Sequence, residues 1–215
     1  MNHSAPPHRS DTQHLMFHQL DIAYNDQLLQ PRPWTEAQSR WAAQLLVEVP
    51  SGPVLELCAG AGHIGLGTVR DASRTLVMVD LSPVAQRFAL HNAEVNGLSG
   101  RVEFRQARLE EALEPNERFA LIVADPPWVP SGNTSKFPDD PVIAIDGGQD
   151  GLDLARMCVD LIERHLEQGG SAVLQLGNST QAALITEYAE QLPAGSVGVV
   201  ATRHYDDGVL MLLAR

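Results

Sequence analysis

This chain of 215 residues predicts an α/β fold: a seven-stranded, mostly parallel sheet with helices on both faces and a C-terminal antiparallel strand. Three observations carry that prediction. Short apolar runs at 53–57, 74–80 and 119–124 read as strands buried on both faces, as central strands of parallel sheets are. Segments of helical period alternate with them, the pattern of a doubly wound sheet. Near the C-terminus, Asp206-Asp207-Gly208 is a turn signal, so residues 209–213 are expected to return beside a strand at 196–204 as an antiparallel partner.

In chain order, residues 1–19 are rich in His, Ser, Pro and Asn, show no periodicity and read as a flexible tail. The irregular spacing of His3, His8, His14 and His18 predicts no metal site there. The domain proper is expected over 20–215, with an entry segment and helix at 20–50 and the core at 51–215. Thr35 reads as an N-cap, and Ala37, Trp41, Leu45 and Leu46 as one face of the helix it starts.

The strand at 53–57 runs into Cys58-Ala59-Gly60-Ala61-Gly62, where glycines let backbone approach a ligand closely ahead of a helix. The next buried strand ends at Asp80, placed to accept hydrogen bonds from both hydroxyls of a ribose. Together these indicate a Rossmann-like fold that binds a nucleoside. Ser82 and Pro83 open a helix that Gly97 closes, with Val84, Phe88, His91 and Val95 along its expected inner face. At 101–106, Val102 and Phe104 alternate with Arg101, Glu103 and Arg105, which suits an edge strand charged against mispairing. A short helix is expected at 109–113. Leu152, Ala155, Cys158, Val159, Ile162 and Leu166 trace a later helix ended by Gly169-Gly170, followed by a strand at 171–177 and a helix at 180–191.

The run at 119–124 stops at Asp125-Pro126-Pro127-Trp128. Two prolines fix φ and remove two N–H donors, so the chain leaves the ladder rigidly with its carbonyls available as acceptors. Asp125 is thereby held at the carboxyl end of the sheet, where ligands of open α/β folds bind. A carboxylate, fixed carbonyls and a flat ring suit a planar group bearing an N–H, such as an amide or aromatic amine. The long stretch at 128–150 reads as a substrate lid.

Composition excludes several classes. No apolar run is long enough to span a membrane and the N-terminus lacks the apolar core of a signal peptide, so a cytoplasmic protein without membrane partners is expected. Cys58 and Cys158 lack metal-binding spacing and read as buried thiols. A net charge of −12, with Lys136 the only lysine, disfavours a phosphate-tracking nucleic-acid surface.

Four separated motifs bear a family likeness. Pro31-Arg-Pro-Trp-Thr-Glu36, Glu56-Leu-Cys-Ala-Gly-Ala-Gly62, Asp125-Pro-Pro-Trp128 and Asp146-Gly-Gly-Gln-Asp-Gly-Leu-Asp153 resemble, in order, motifs of class I S-adenosylmethionine-dependent methyltransferases. The narrower resemblance is to the HemK/PrmC group of glutamine-amide N-methyltransferases. It implies S-adenosylmethionine as cofactor, with Glu56 near its ammonium, residues 58–62 around its methionine end, Asp80 on the ribose and Leu109 against the adenine. It implies that Asp125 and the Pro126 carbonyl grip the target N–H while Pro127 and Trp128 complete the corner. The implied acceptor is a protein side chain or small molecule; an exocyclic amine of RNA or DNA, or a non-catalytic cofactor-binding subunit, stand as alternatives. Three departures are visible, one being Gln106-Ala-Arg-Leu109 where the group tends to show an acid and an aromatic residue. Asp125 stands where the group has Asn, and only about 30 residues precede the first motif, in place of the group's N-terminal recognition domain.

Overall fold

The computed structural model describes residues 11–193 and 197–215. It opens with a two-stranded antiparallel hairpin, β1 (Gln13–Phe17) and β2 (Leu20–Tyr24), in place of the aperiodic stretch expected through Gln19. The turn residues His18 and Gln19 both have positive φ, 47° and 67°, which two-residue hairpin turns require and which Asn-Gly normally signals. With His-Gln there, the hairpin had no local signature. Phe17, Leu20, Ile22 and Ala23 bury it against the domain.

The remaining elements are α1 (Thr35–Leu45), β3 (Val54–Leu57), α2 (His63–Val69), β4 (Leu76–Asp80), α3 (Pro83–Val95), β5 (Val102–Gln106), β6 (Phe119–Ala124), α4 (Val142–Ile145), α5 (Asp153–His165), β7 (Leu166–Leu176), α6 (Ser179–Glu190), β8 (Gly198–Tyr205) and β9 (Gly208–Ala214). Strands β3 to β9 form one seven-stranded sheet in the order β5-β4-β3-β6-β7-β9-β8. Pairings from β5 across to β7 are parallel, and β9 is antiparallel to both of its neighbours, as expected. The start expected for the sixth strand, Ser196, lies outside the described residues, as do His3 and His8.

Alternation along the central strands divides the core in two. Val54, Leu121 and Val123 face the layer of α1, α2 and α3, while Leu55, Leu57, Ile122 and Ala124 face that of α5 and α6. All six residues of β6 are buried. Its place between β3 and β7 accounts for the uninterrupted apolar run. At the opposite extreme, β5 forms the charged edge, where Arg105 makes ion pairs with Glu103 and Glu117.

Three local expectations are corrected. Thr35 is the first residue of α1 and not its cap; its hydroxyl donates to the Arg32 carbonyl at 2.8 Å. On α3 the buried face is Ala85, Phe88, Ala89, Asn92 and Ala93, so His91 and Val95 are exposed. A polar residue in that face is tolerated because Asn92 is fully bonded there, as described below. Gly169-Gly170 does not separate helix from strand: β7 begins at Leu166, and the glycines form an irregularity in its pairing with β6.

Candidate active site: a glycine-rich cleft and a rigid corner

After β3 the chain turns through Cys58 (φ 59°), Gly60 (φ 52°) and Gly62 (φ 76°) before entering α2. Gly62 is required twice over. Its left-handed φ favours glycine, and a Cβ there would lie 2.8 Å from Met78 Sδ and 3.1 Å from Ala89 Cβ. Asp80, at the end of the neighbouring β4, accepts from Gly60 N at 2.8 Å through Oδ2 and from Ser82 N at 2.8 Å through Oδ1. The carboxylate therefore fixes the loop and keeps lone pairs for a ligand. Burial raises its pKa, against the pull of the Ser82, Gly60 and Leu81 N–H groups.

Glu56 lies beneath this loop and is 2% exposed. Its Oε1 accepts from Gly65 N at 2.9 Å, while Oε2 has no partner among the described residues. Burial pushes its pKa up to about 8. Its carboxyl thus acts on the cleft from behind the backbone, and it does not itself line the wall.

The second component is the corner after β6. Gln38 of α1 donates to the carbonyls of Ala124 and Val173, at 2.9 and 3.0 Å, tying the end of β6 and the neighbouring part of β7 to that helix. Beyond Pro126 and Pro127, the Trp128 ring lies on Gly177, and the Trp128 carbonyl accepts from Gln181 Nε2 at 2.7 Å. The Asp146–Asp153 segment buttresses the corner from outside. Val129 pairs with Asp146, and a Cβ on Gly147 would come within 2.6 Å of the Pro127 carbonyl. Gly151 (φ 80°) meets the Trp128 carbonyl equally closely. Asp146 holds the segment in shape by accepting from Ser131 Oγ at 2.7 Å and Gly148 N at 2.9 Å. The stretch expected as one irregular lid therefore contains a 3-10 turn at Ser131–Lys136 and the single-turn helix α4.

Between loop and corner lies a cavity of about 220 Å³. Cys58, Ala59, Gly60, Ala61, Asp80, Leu109, Asp125 and Pro127 line it, so eight of the twelve residues singled out in the sequence converge; Glu56, Gly62, Pro126 and Trp128 stand behind that surface. Asp125 has no hydrogen-bond donor on its carboxyl among the described residues, and burial raises its pKa to about 7. The Cys58 thiol is held well above its usual range by its hydrogen bond with Cys158 and by burial. The remaining wall was less legible. Leu28, Leu29 and Arg32 close one side and Ile143 and Ala144 another, and Arg32 Nη2 donates to both carboxylate oxygens of Asp140, at 2.6 and 2.8 Å. His63, kept neutral by burial with a pKa of about 3, bonds to Thr35 Oγ1 at 3.2 Å.

This donor set fits a cationic nucleoside cofactor. Asp80 retains acceptors for hydroxyls, Leu109 offers an apolar surface, and Glu56 and Asp125 supply acidic groups short of partners, favourable to an ammonium and a sulfonium.

Residues 37–138 match the sequence profile described as "Methyltransferase small domain". A release factor glutamine methyltransferase of Clostridium acetobutylicum is 31% identical over 179 residues, covering 80% of this chain and 63% of that protein. A ribosomal protein uL3 glutamine methyltransferase of Francisella tularensis is 32% identical over 166 residues, covering 74% of this chain and 50% of that protein. The chain thus spans only half to two thirds of these curated relatives. Among solved structures, a ribosomal protein L11 methylase from Lactobacillus delbrueckii subsp. bulgaricus superposes with a TM-score of 0.66 at 14% identity, covering 87% of this chain and 81% of that one. A methyltransferase from Pyrococcus furiosus gives 0.64 at 19% identity, covering 90% and 87%.

Proposed function

We propose that this chain is a HemK/PrmC-like class I methyltransferase and that it transfers a methyl group from S-adenosylmethionine to an amide or amine nitrogen of a protein side chain, a reading supported by the methyltransferase profile match and the glutamine methyltransferases among its relatives. The observation that carries this reading is Asp125: an unbonded carboxyl at the end of β6, facing the same cavity as Asp80 and Gly60. Glutamine methyltransferases among its relatives, acting on a release factor and a ribosomal protein, support a protein acceptor over a nucleic acid, as does the charge of −12.

S-adenosylmethionine supplies an electrophilic methyl group on a sulfonium. The protein's part is chiefly positioning. Asp80 and residues 58–62 hold the nucleoside and methionine ends, and the corner holds the target nitrogen. As a carboxylate, Asp125 accepts an N–H of the target and directs the nitrogen lone pair into the cavity. As positive charge grows on nitrogen, the same carboxylate stabilises it and then takes the proton, which its raised pKa favours near neutrality.

The test is methyl transfer by the full chain with isotopically labelled cofactor and a cell extract resolved into protein, RNA and small-molecule acceptors. Asp125→Ala is expected to lower transfer by about a hundredfold or more, well beyond any loss of cofactor affinity. Asp125→Asn, which restores the family's amide, separates targets: retained transfer identifies an amide acceptor and lost transfer an amine. Unchanged transfer by Asp125→Ala would sink the assignment.

A further inference from the structure

A second hollow, of about 350 Å³, opens beside the cleft between α1 and the end of β8. It is lined by Pro33, Trp34, Ala37, Trp41 and Gln44, by Glu36 and Arg40, and across from them by Arg203 and Tyr205. The α1 residues recur at intervals of three and four, so they form one helix face about 15 Å long at 1.5 Å per residue. Four or five residues of extended chain, at about 3.3 Å each, span that length.

The charges of the hollow are unequal in their commitments. Arg40 pairs with Glu36 at 2.6 Å. Arg203 makes no ion pair or hydrogen bond among the described residues, although the protein carries 27 acidic residues against 15 basic ones. Asp206 and Asp207 follow in the adjoining turn but do not line the hollow. The Arg203 guanidinium is nonetheless fixed: it sits 3.8 Å from the centre of the Trp41 ring, which is 4% exposed. An arginine pinned on an aromatic face, its N–H edge uncommitted and Tyr205 and Trp34 alongside, has the composition of a binding hot spot. A planar fork of donors selects a carboxylate geometrically.

Position links this hollow to the reaction. Arg32 and Thr35 line the cleft while Pro33, Trp34 and Glu36 line the hollow, so a single segment forms the wall between them. Arg203 and Tyr205 lie at the carboxyl end of β8, which through two antiparallel pairings runs in the direction of β7 and ends on the same edge of the sheet as Asp125.

We propose that this hollow docks an extended acidic segment of the protein acceptor, with Arg203 on a carboxylate and Trp34 and Tyr205 flanking it. The inference rests on the reading of the chain as a protein methyltransferase and identifies the acceptor's flanking chemistry. It disfavours a phosphate backbone as the occupant, because a single uncommitted arginine in this hollow, in a chain of charge −12, makes no track for one.

Fluorescence anisotropy tests it with the full chain and three labelled probes: a decapeptide alternating Glu and Gly, its Lys-Gly counterpart, and a ten-nucleotide oligouridine. The acidic peptide is expected to bind saturably, and Arg203→Glu and the milder Arg203→Gln to weaken it tenfold or more. Cofactor affinity by calorimetry should stay unchanged in both, which verifies their folding. No saturable binding of the acidic peptide up to millimolar concentration, or equal binding by both variants, overturns the proposal. Oligouridine binding abolished by Arg203→Glu overturns it in favour of a nucleic-acid site. If the acidic peptide binds through Arg203 but no protein is ever methylated, the methyltransferase reading fails and the docking surface stands.

Discussion

The glycine-rich loop after β3 and the proline corner after β6 solve the same problem, holding backbone rigidly at the carboxyl edge of a parallel sheet, by opposite means. The loop uses torsional freedom: Cys58, Gly60 and Gly62 occupy left-handed φ, and the shape is held by its neighbours, with Asp80 accepting from Gly60 N, the Val79 carbonyl accepting from Ala59 N, and Asn92 donating to the Ala61 carbonyl. The corner uses torsional restriction, two consecutive prolines, and is locked by glycines 20 residues or more downstream that let another stretch of backbone approach. A loop made from flexible residues depends on the strand next to it. A corner made from prolines depends on what is packed behind it. The first gives a pocket whose shape is set within a few tens of residues of sequence, the second one that requires a long segment to return.

That contrast can be broken from either side. The largest effect is expected from Gly147→Ala, whose Cβ would meet the Pro127 carbonyl at 2.6 Å. Displacing the corner by a fraction of an ångström should lower methyl transfer by about a hundredfold while cofactor affinity changes little, because only the acceptor side moves. Calorimetric cofactor binding measured beside single-turnover transfer checks this, and an equal loss of both would refute the separation. Gly62→Ala should do the reverse. A left-handed φ and a contact of 2.8 Å to Met78 Sδ predict destabilisation of about 1–3 kcal/mol by denaturant melts, together with weaker cofactor binding.

A smaller effect concerns acidity. Glu56 and Asp125 have pKa values of about 8 and about 7 in the folded protein, raised from ordinary values of 4.5 and 3.8. Each is therefore protonated in the folded state while still ionised in the unfolded chain over the interval between its two values. The burden of burying these charges is fully present above pH 8 and is relieved as pH falls through 8 and 7, so stability of the ligand-free protein should rise from pH 9 to pH 6. Thermal melts across that range decide the point. Asp125→Asn should flatten part of the rise, and a ligand-free Tm that falls over the same interval would contradict both assignments.

Much of this architecture was legible because burial on both faces leaves an uninterrupted apolar run, as in β6, and because charges on an edge strand alternate, as in β5. The corner was legible for a similar reason: two prolines after such a run admit few conformations. The parts that escaped are those whose polar atoms find partners far away in sequence. β2 is secured by Asn92 and Asn96 some 70 residues on, and Asn92 occupies the buried face of α3 where apolar periodicity alone pointed to His91. Gly169-Gly170 reads locally as a helix stop, yet strand pairing absorbed it as an irregularity. The cavity wall formed by Leu28, Leu29 and Arg32 depends on the hairpin and was hidden with it.

Asn92 has a further consequence. Its Oδ1 accepts from Ala23 N at 2.8 Å, and its Nδ2 donates to the carbonyls of Ala23 at 3.0 Å and Ala61 at 2.9 Å, so one side chain joins the N-terminal hairpin to the cofactor loop. The two regions should then open to solvent as a single cooperative unit. In amide hydrogen exchange, the Ala23 N–H, which is not itself in the cavity lining, should slow when cofactor binds, and Asn92→Ala should uncouple it, so a hairpin outside that lining would report its occupancy.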